Sequence, residues 1–342
     1  MKPLDAALLR VLRSSAVHLP GADLAAELAV ERADLAGRID GLRAAGFRID
    51  EQPGLGYRLV AGPDRLIADD LTARLGSSPL VREILVLEST DSTNDHVARV
   101  GRRQRGPGGL AVFAEHQRRG RGRFGRRWES ASHLGLWFSL LIRPELPLKH
   151  WARLPTWAAT GVAAALDGFP GLQAEIKWPN DVQIAGRKVA GILIETGVDL
   201  GGEPFAVVGI GLNANHTAPD FPPELADTAG SLRIALGRPV DRTALAVAVI
   251  RSLSERFPVM REEPGKLVEE AARRSSLLGQ RVKVRARENV LSGVAEALSA
   301  EGQLLLRLAD GSIHPLSAGE VSVIAPRLPV IDPTGSQASS SS

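Results

Sequence analysis

The twelve residues Gln117 to Trp128 (QRRGRGRFGRRW) carry six arginines and three glycines directly behind the apolar run Leu110 to Ala114. Guanidiniums stay charged at any working pH, and burying them unpaired is costly. The segment therefore belongs neither to a core strand nor to an apolar helix face. It is a loop, and the chain on both sides must fold into elements rigid enough to hold it. Glycine lets such a loop close around a ligand with its N–H groups turned inward, while arginine offers planar donors to phosphate or carboxylate oxygens. A solvated or nucleic-acid-facing basic patch is the competing reading. Interleaved glycines add nothing to such a patch, which favours an anion-gripping loop.

Gly120, Gly122 and Gly125 also spell G-x-G-x-x-G, a fingerprint that needs a helix opening at its third glycine. Here the chain runs through Ser130 and His133 into the apolar run Leu136 to Leu140, a strand pattern, so the dinucleotide reading fails. No G-x-x-x-x-G-K-[ST], H-E-x-x-H or G-x-S-x-G occurs, which disfavours a P-loop, a zinc hydrolase and a serine triad. The chain has no cysteine, so thiol nucleophiles, disulfides and thiolate metal sites are excluded, in keeping with a reducing cytosol.

At 342 residues and 44% hydrophobic, the chain can build two or three globular units. Lys and Arg number 42 against 39 Asp and Glu, a net charge of +3, so anion binding must come from local clusters. Asp5, Arg10 and Arg13 interrupt the first apolar stretch, and no later segment approaches a membrane span. A soluble, cytoplasmic protein with no membrane partner is expected.

The expected fold class is α+β in three units. Leu4, Leu8, Leu9 and Leu12, then Leu24, Leu28, Leu35, Ile39 and Leu42, recur at helical spacing. A short helix, a turn and a longer helix at 22–42, followed by the alternating runs Phe47 to Asp50 and Tyr57 to Val60, predict a winged helix-turn-helix over 1–62. Over 66–272, runs such as Ile84 to Leu87, Leu136 to Ile142, Gly191 to Glu195 and Phe205 to Leu212 alternate with helical patterns, of which Trp151 to Leu166 and Arg242 to Phe257 are the strongest. Over 277–326, short strands split by Glu301-Gly302 and Asp310-Gly311 predict an SH3-like β-barrel. The tail 327–342, ending in four serines, is expected to be disordered.

Two further clusters carry chemistry. Lys177-Trp178-Pro179-Asn180-Asp181, with Arg187-Lys188-Val189-Ala190-Gly191 after it, groups two lysines, an amide and a carboxylate around a hairpin. Lys177 is suited to balance charge building on a phosphate, and Asp181 or Asn180 to orient a Mg²⁺ held mainly by nucleotide phosphates; an ordinary polar turn is the alternative. Asp91-Ser92-Thr93-Asn94 reads as a helix N-cap, a ligand contact, or both, because a helix N-terminus is itself an anion site.

In this order, Asp91 to Asn94, Gly120 to Trp128 and Lys177 to Gly191, followed by Gly209-Ile210-Gly211-Leu212-Asn213 and Gly319-Glu320-Val321-Ser322-Val323, the chain resembles the bacterial biotin protein ligases. The N-terminal unit resembles that of the bifunctional members, which also repress the biotin operon. The resemblance implies a central mixed-sheet domain like that of class II aminoacyl-tRNA synthetases, in which biotin and ATP form biotinyl-5′-AMP. It implies transfer to a lysine of the biotin carboxyl carrier protein of acetyl-CoA carboxylase, which accounts for the lack of a catalytic Cys, Ser or His. By position, Ser92, Thr93, Asn94, Gln117, Arg121, Gly122, Arg123 and Lys188 match the biotin and adenylate contacts. Lys177, Asn180, Asp181, Arg126 and Asn213, with Arg121 and Arg123, match the ATP side. Arg123, Lys177 and Lys188 are the expected catalytic residues, Arg123 retaining the intermediate, and Mg²⁺ comes with ATP, with Asp181 its candidate protein ligand.

Operator DNA and, on ligand binding, a second copy of the chain are further implied partners. Arg32, Arg38 and Arg43 are the candidate DNA contacts, but Glu31, Asp34 and Asp40 share their helix, so weak DNA binding is expected. A lipoate-type carrier-protein ligase would be expected to lack the Arg-Gly loop. A biotin-sensing regulator without catalysis would lack Lys177, Arg123 or Lys188.

Overall fold

The computed structural model describes residues 3–103, 105–286 and 289–324; the tail expected to be disordered lies outside them. The leucines at helical spacing give α1 (Pro3–Ser14), α2 (Gly21–Glu27) and α3 (Arg32–Ala44), followed by the hairpin β1 (Arg48–Gln52) and β2 (Gly56–Ala61). Leu8, Leu9, Leu12, Leu24, Leu35, Ile39, Leu42 and Phe47 form their common core. That core continues into α4 (Ala68–Leu75) through Ile67 and Ala73. Arg13 of α1 donates to Asp70 at 2.7 Å, Asp70 pairs with Arg74 at 3.1 Å, and Arg74 with Asp241 at 2.6 Å, so a chain of charge pairs stitches this unit to the central one.

The central unit runs β3 (Glu83–Thr90), α5 (Thr93–Arg103), β4 (Gly108–Gln117), β5 (Leu136–Ile142), α6 (Leu154–Asp167), β6 (Ala174–Lys177), β7 (Asp181–Ile184), β8 (Arg187–Val198), β9 (Pro204–Leu212), α7 (Leu232–Leu236), α8 (Arg242–Glu262) and α9 (Pro264–Arg273). Its seven strands lie in the order β3-β4-β5-β9-β8-β7-β6. β3 and β4 are parallel, joined by the crossover α5, and every other pair is antiparallel. Along β4 the two-residue period sends Ala111 and Phe113 to the large core under α6 and α8, and Leu110 and Val112 to a smaller core with Val97 of α5. All seven residues of β5 are buried, because both faces of the sheet are covered there.

The helix expected from Trp151 begins later. Leu148–Arg153 form a 3-10 turn, and α6 opens at Leu154 with Pro155 in its first turn, where a missing N–H leaves no bond unmade. α8 extends beyond Phe257 to Glu262, through Pro258.

The C-terminal β domain is an antiparallel sheet of β10 (Arg281–Ala286), β11 (Asn289–Leu298), β12 (Leu304–Arg307), β13 (Ile313–Leu316) and β14 (Glu320–Val323), in the order β13-β12-β11-β10-β14. Its core of Val282, Val284, Ala295, Leu304, Leu306, Leu316 and Val321 includes one side chain from the central unit, Trp178, whose indole N–H donates to the Gly302 carbonyl at 2.9 Å. Glu301 beside it receives Arg153 at 2.9 Å. Among the described residues, no helix is long and apolar enough to cross a membrane.

Candidate active site

Because β3 and β4 are parallel, both deliver their C-terminal ends to the same place, with Thr90 opposite Gln117. The chain leaves β3 into the N-terminus of α5, where Ser92, Thr93 and Asn94 are buried. Gln117 Oε1 accepts the Thr93 backbone N–H at 2.9 Å and its hydroxyl at 3.1 Å, so a side chain from the next strand satisfies a free donor of the helix end. The Ser139 hydroxyl of β5 lies 2.7 Å from Thr93 Oγ1 and 2.6 Å from Asn94 Oδ1, and Asn94 Nδ2 donates to Glu195 of β8 at 2.8 Å. A Cβ on Gly209 would stand 2.1 Å from Asn94 Oδ1, so glycine is required for this approach.

The Arg-Gly segment is a tight hairpin. The Gly122 N–H donates to Arg126 O at 2.7 Å and the Trp128 N–H to Gly120 O at 2.9 Å, with Arg123–Gly125 turning at the tip. A Cβ on Gly120 would meet Trp128 O at 2.4 Å. The six arginines are not equivalent donors. Arg118 is held by Asp91 at 2.8 Å, Arg121 by Asp95 at 2.6 Å and Glu195 at 2.9 Å, Arg127 by Glu129 at 3.1 Å, and Arg126 by Glu320 of β14. The bond from Arg126 holds Glu320 below the usual carboxylate range. Arg119 is exposed. Half-buried Arg123 donates to an amide, Asn180 Oδ1, at 2.8 Å, with no carboxylate in ion-pair range among the described residues. Burial pulls its guanidinium below the ordinary arginine value, Asp181 opposing.

Lys177 closes β6 and Asp181 opens β7 opposite it. Between them Trp178 and Pro179 are joined by a cis bond, and Asn180 donates to Ile192 O at 2.8 Å. Lys188 Nζ pairs with Asp181 Oδ1 at 2.7 Å and stands 5.1 Å above the Trp128 ring. That ring rests on Gly191 and Gly211, opposed across β8 and β9, where a Cβ would come within 2.7 Å and 2.6 Å of it. Asn213 Nδ2 fastens the following loop through Gly230 O at 3.0 Å.

Ser92, Thr93, Asn94, Gln117, Arg121, Gly122, Arg123, Arg126, Lys177, Asn180, Asp181, Lys188 and Asn213 all line one cleft of about 530 Å³. Its size lies within the roughly 300–1,000 Å³ of small-molecule sites. One wall carries Trp128, His216 and Phe221, backed by the buried Trp137: Trp128 meets Trp137 edge-on at 6.2 Å, Trp137 meets His216 at 5.8 Å, and His216 stacks on Phe221 at 5.1 Å. Burial lowers the His216 pKa to about 4, so the ring is neutral at pH 7. Trp128 Nε1, Trp137 Nε1 and His216 Nδ1 are buried without a hydrogen-bond partner among the described residues. Arg32, Arg38 and Arg43 lie elsewhere, on α3; Arg38 pairs with Asp5 at 3.2 Å, and Arg43 with Asp40 at 3.3 Å and Glu51 at 3.0 Å.

Residues 86–215 match the model of the biotin/lipoate A/B protein ligase family, and residues 277–323 that of the biotin protein ligase C-terminal domain. The bifunctional ligase/repressor BirA of Bacillus spizizenii is 32% identical over 279 residues, 80% of this chain and 84% of its own. The biotin–[acetyl-CoA-carboxylase] ligase of Mycobacterium tuberculosis is 31% identical over 264 residues, 75% of this chain and 94% of its own. The chain belongs to the biotin protein ligase family. The biotin protein ligase of Aquifex aeolicus in complex with biotin and ATP matches 70% of this ligase and 98% of its own chain, with a TM-score of 0.60 and 29% identity.

Several side chains that line the ligase's cleft or brace its lining have no clear signal in the sequence. Ser139 is hidden inside an apolar strand, where a lone hydroxyl in an otherwise buried run is the available sign. Glu195, at the end of the apolar part of β8, joins Asn94 to Arg121. His216 and Phe221 come from a loop with no periodicity, and no pattern announces that they stack beside Trp137.

Proposed function

We propose that this chain activates biotin with ATP as biotinyl-5′-AMP and transfers the biotinyl group to a lysine of the biotin carboxyl carrier protein of acetyl-CoA carboxylase. The observation that carries this reading is one cleft in which a half-buried arginine with no carboxylate partner among the described residues, Arg123, is brought together with Lys177, Lys188 and the polar end of α5. In the first step a biotin carboxylate oxygen attacks the α-phosphorus and pyrophosphate leaves; Lys177 and Lys188 offset the charge that builds there. In the second, the acceptor amine attacks the carbonyl, a C–N bond forms, the bond to phosphate oxygen breaks with its electrons leaving on AMP, and the amine proton passes to solvent. Arg123 pairs with the adenylate phosphate between the steps, and the loop excludes water from the anhydride.

Ser92, Thr93, Asn94, Gln117, Gly122 and Lys188 take the biotin side. Arg121 contributes there through its backbone, because its guanidinium is already held by Asp95 and Glu195. Arg126, Asn180, Asp181 and Asn213 take the nucleotide side with Lys177. Among the described residues, no three acidic or histidine side chains gather to hold a metal. One carboxylate, Asp181, with the Asn180 amide fits a Mg²⁺ bound mostly by nucleotide phosphates, where it would neutralise their charge.

The units run 1–62, 66–272 and 277–326 on this reading. The first is a winged helix, the second is related to the class II aminoacyl-tRNA synthetases, and the third is SH3-like; the protein works in the cytoplasm and pairs with a second copy when liganded. Operator binding by the first unit is the weaker part, since Arg38 and Arg43 are already matched by carboxylates. A salt-sensitive, sequence-specific shift of a biotin-operon promoter tests it. A lipoate-type ligase is the second reading, and the match to the biotin-type C-terminal domain weighs against it.

The deciding experiment is biotin-dependent exchange of labelled pyrophosphate into ATP with Mg²⁺, beside a lipoate control and a Lys188→Ala variant. Exchange with biotin alone that collapses in the variant is expected. Exchange with lipoate moves the chain to the second reading, and none with either overturns the enzymatic one.

A further inference from the structure

Phe124, at the tip of the Arg-Gly hairpin, stands where an aromatic residue gains nothing for folding. Its backbone is left-handed, with φ 58° and ψ 31°, a strained conformation for a bulky side chain, and it is 63% exposed. A glycine or asparagine would suit that backbone, and a polar residue that exposure. One side of the ring is covered by the Arg123 guanidinium, 4.8 Å from its centroid, and Arg123 itself reaches Asn180 in the cleft. The neighbouring Arg126 and Arg127 are turned to Glu320 and Glu129. What the tip presents outward is therefore an apolar ring on the rim of the cleft, rather than a free charge.

We propose that Phe124 is a docking contact for the acceptor protein, meeting apolar surface beside the acceptor lysine, and that it serves the transfer step and not adenylation. The inference rests on reading the cleft as an adenylating ligase site. A lysine amine extends only about 6 Å from its own backbone. An acceptor that places its amine on an anhydride inside the cleft must therefore bring its surface against the rim, where Phe124 projects. Because the ring lies on Arg123, a seated acceptor also bears on the residue assigned to hold the adenylate.

The test uses the full chain and two acceptors: a purified biotin carboxyl carrier domain, which needs a docking surface, and hydroxylamine, which does not. Phe124→Ala is expected to leave pyrophosphate exchange and hydroxamate formation within about twofold of the parent, while KM for the carrier domain rises roughly tenfold, as for an aromatic interface anchor. Phe124→Tyr is expected to restore that KM. An unchanged carrier KM overturns the proposal. So does a variant that instead loses affinity for ATP or biotin, or releases adenylate faster to hydroxylamine, because the ring then closes over the small ligand. If the parent chain shows no exchange, the ligase reading fails first; a parent that exchanges beside an indifferent Phe124→Ala defeats only the docking role.

Discussion

Arg123 Nη1 lies 2.8 Å from Asn180 Oδ1, so the tip of the Arg-Gly hairpin is fastened to the turn between β6 and β7 by a neutral amide. An amide holds a guanidinium in place without cancelling its charge. Most of the loop's other arginines are matched with carboxylates, and Arg123 keeps its charge available to a bound anion.

Replacing Arg123 with glycine removes that charge and leaves the hairpin bonds of Gly122 and Trp128 in place. Arg123→Gly is expected to form the adenylate and release it, labelling lysines of a bystander protein at least about tenfold more than the parent does. Mass spectrometry of a bystander such as serum albumin reads the outcome, and parental selectivity would remove the retention role.

Gly211→Ala places a Cβ 2.6 Å from the Trp128 ring that lies across the strand. The ring must shift, and Lys188 above it loses its platform. Exchange turnover is expected to fall by roughly one to two orders of magnitude, the scale of a displacement of about 1 Å near reacting groups. The melting temperature should move by only a few degrees. A large loss of stability instead would mean that the glycine matters to the sheet more than to the site.

His216 makes stability depend on acidity. Its ordinary pKa of 6.5 is lowered to about 4 by burial, with Asp220 opposing. Between those values the unfolded chain binds the extra proton, so stability is full above pH 6.5 and is lost as pH falls toward 4, by at most about 3 kcal/mol. Urea midpoints measured at pH 7 and pH 5 should separate by less in His216→Gln than in the parent.

Arg242 of α8 is fully buried and holds Glu115, also buried, at 2.6 Å, two residues before Gln117. Glu115 also accepts the Leu66 N–H at 2.7 Å. Arg242→Met strands a carboxylate in the core and is expected to destabilise the chain by about 3–5 kcal/mol. Replacing both partners with apolar residues should recover much of that, and equal losses in the single and double variants would contradict the pairing argument.

The elements legible in sequence are those whose pattern matches their burial. β5 reads as one apolar run because both of its faces are covered, and the C-terminal strands are separated by Glu301-Gly302 and Asp310-Gly311 turns. β6 and β7 are four residues each, too short for periodicity to speak, and Trp151 sits in a 3-10 turn that imitates the start of α6. Within the cleft, the Arg-Gly segment announces a grip on an anion, and its composition overstates the positive charge on offer. Three of the carboxylates that restrain it, Asp95, Glu195 and Glu320, sit on a helix and two strands outside the segment, and only the folded arrangement shows them together.

Trp178 belongs by sequence to the turn between Lys177 and Asn180 and by packing to the interior of the last sheet. Removing the final strands would strip an indole of its enclosure at the point where the cleft-lining Lys177 and Asn180 are set. The C-terminal β domain is thus less an appendage than a keystone, and a calorimeter should register its loss and the loss of the cleft as one event.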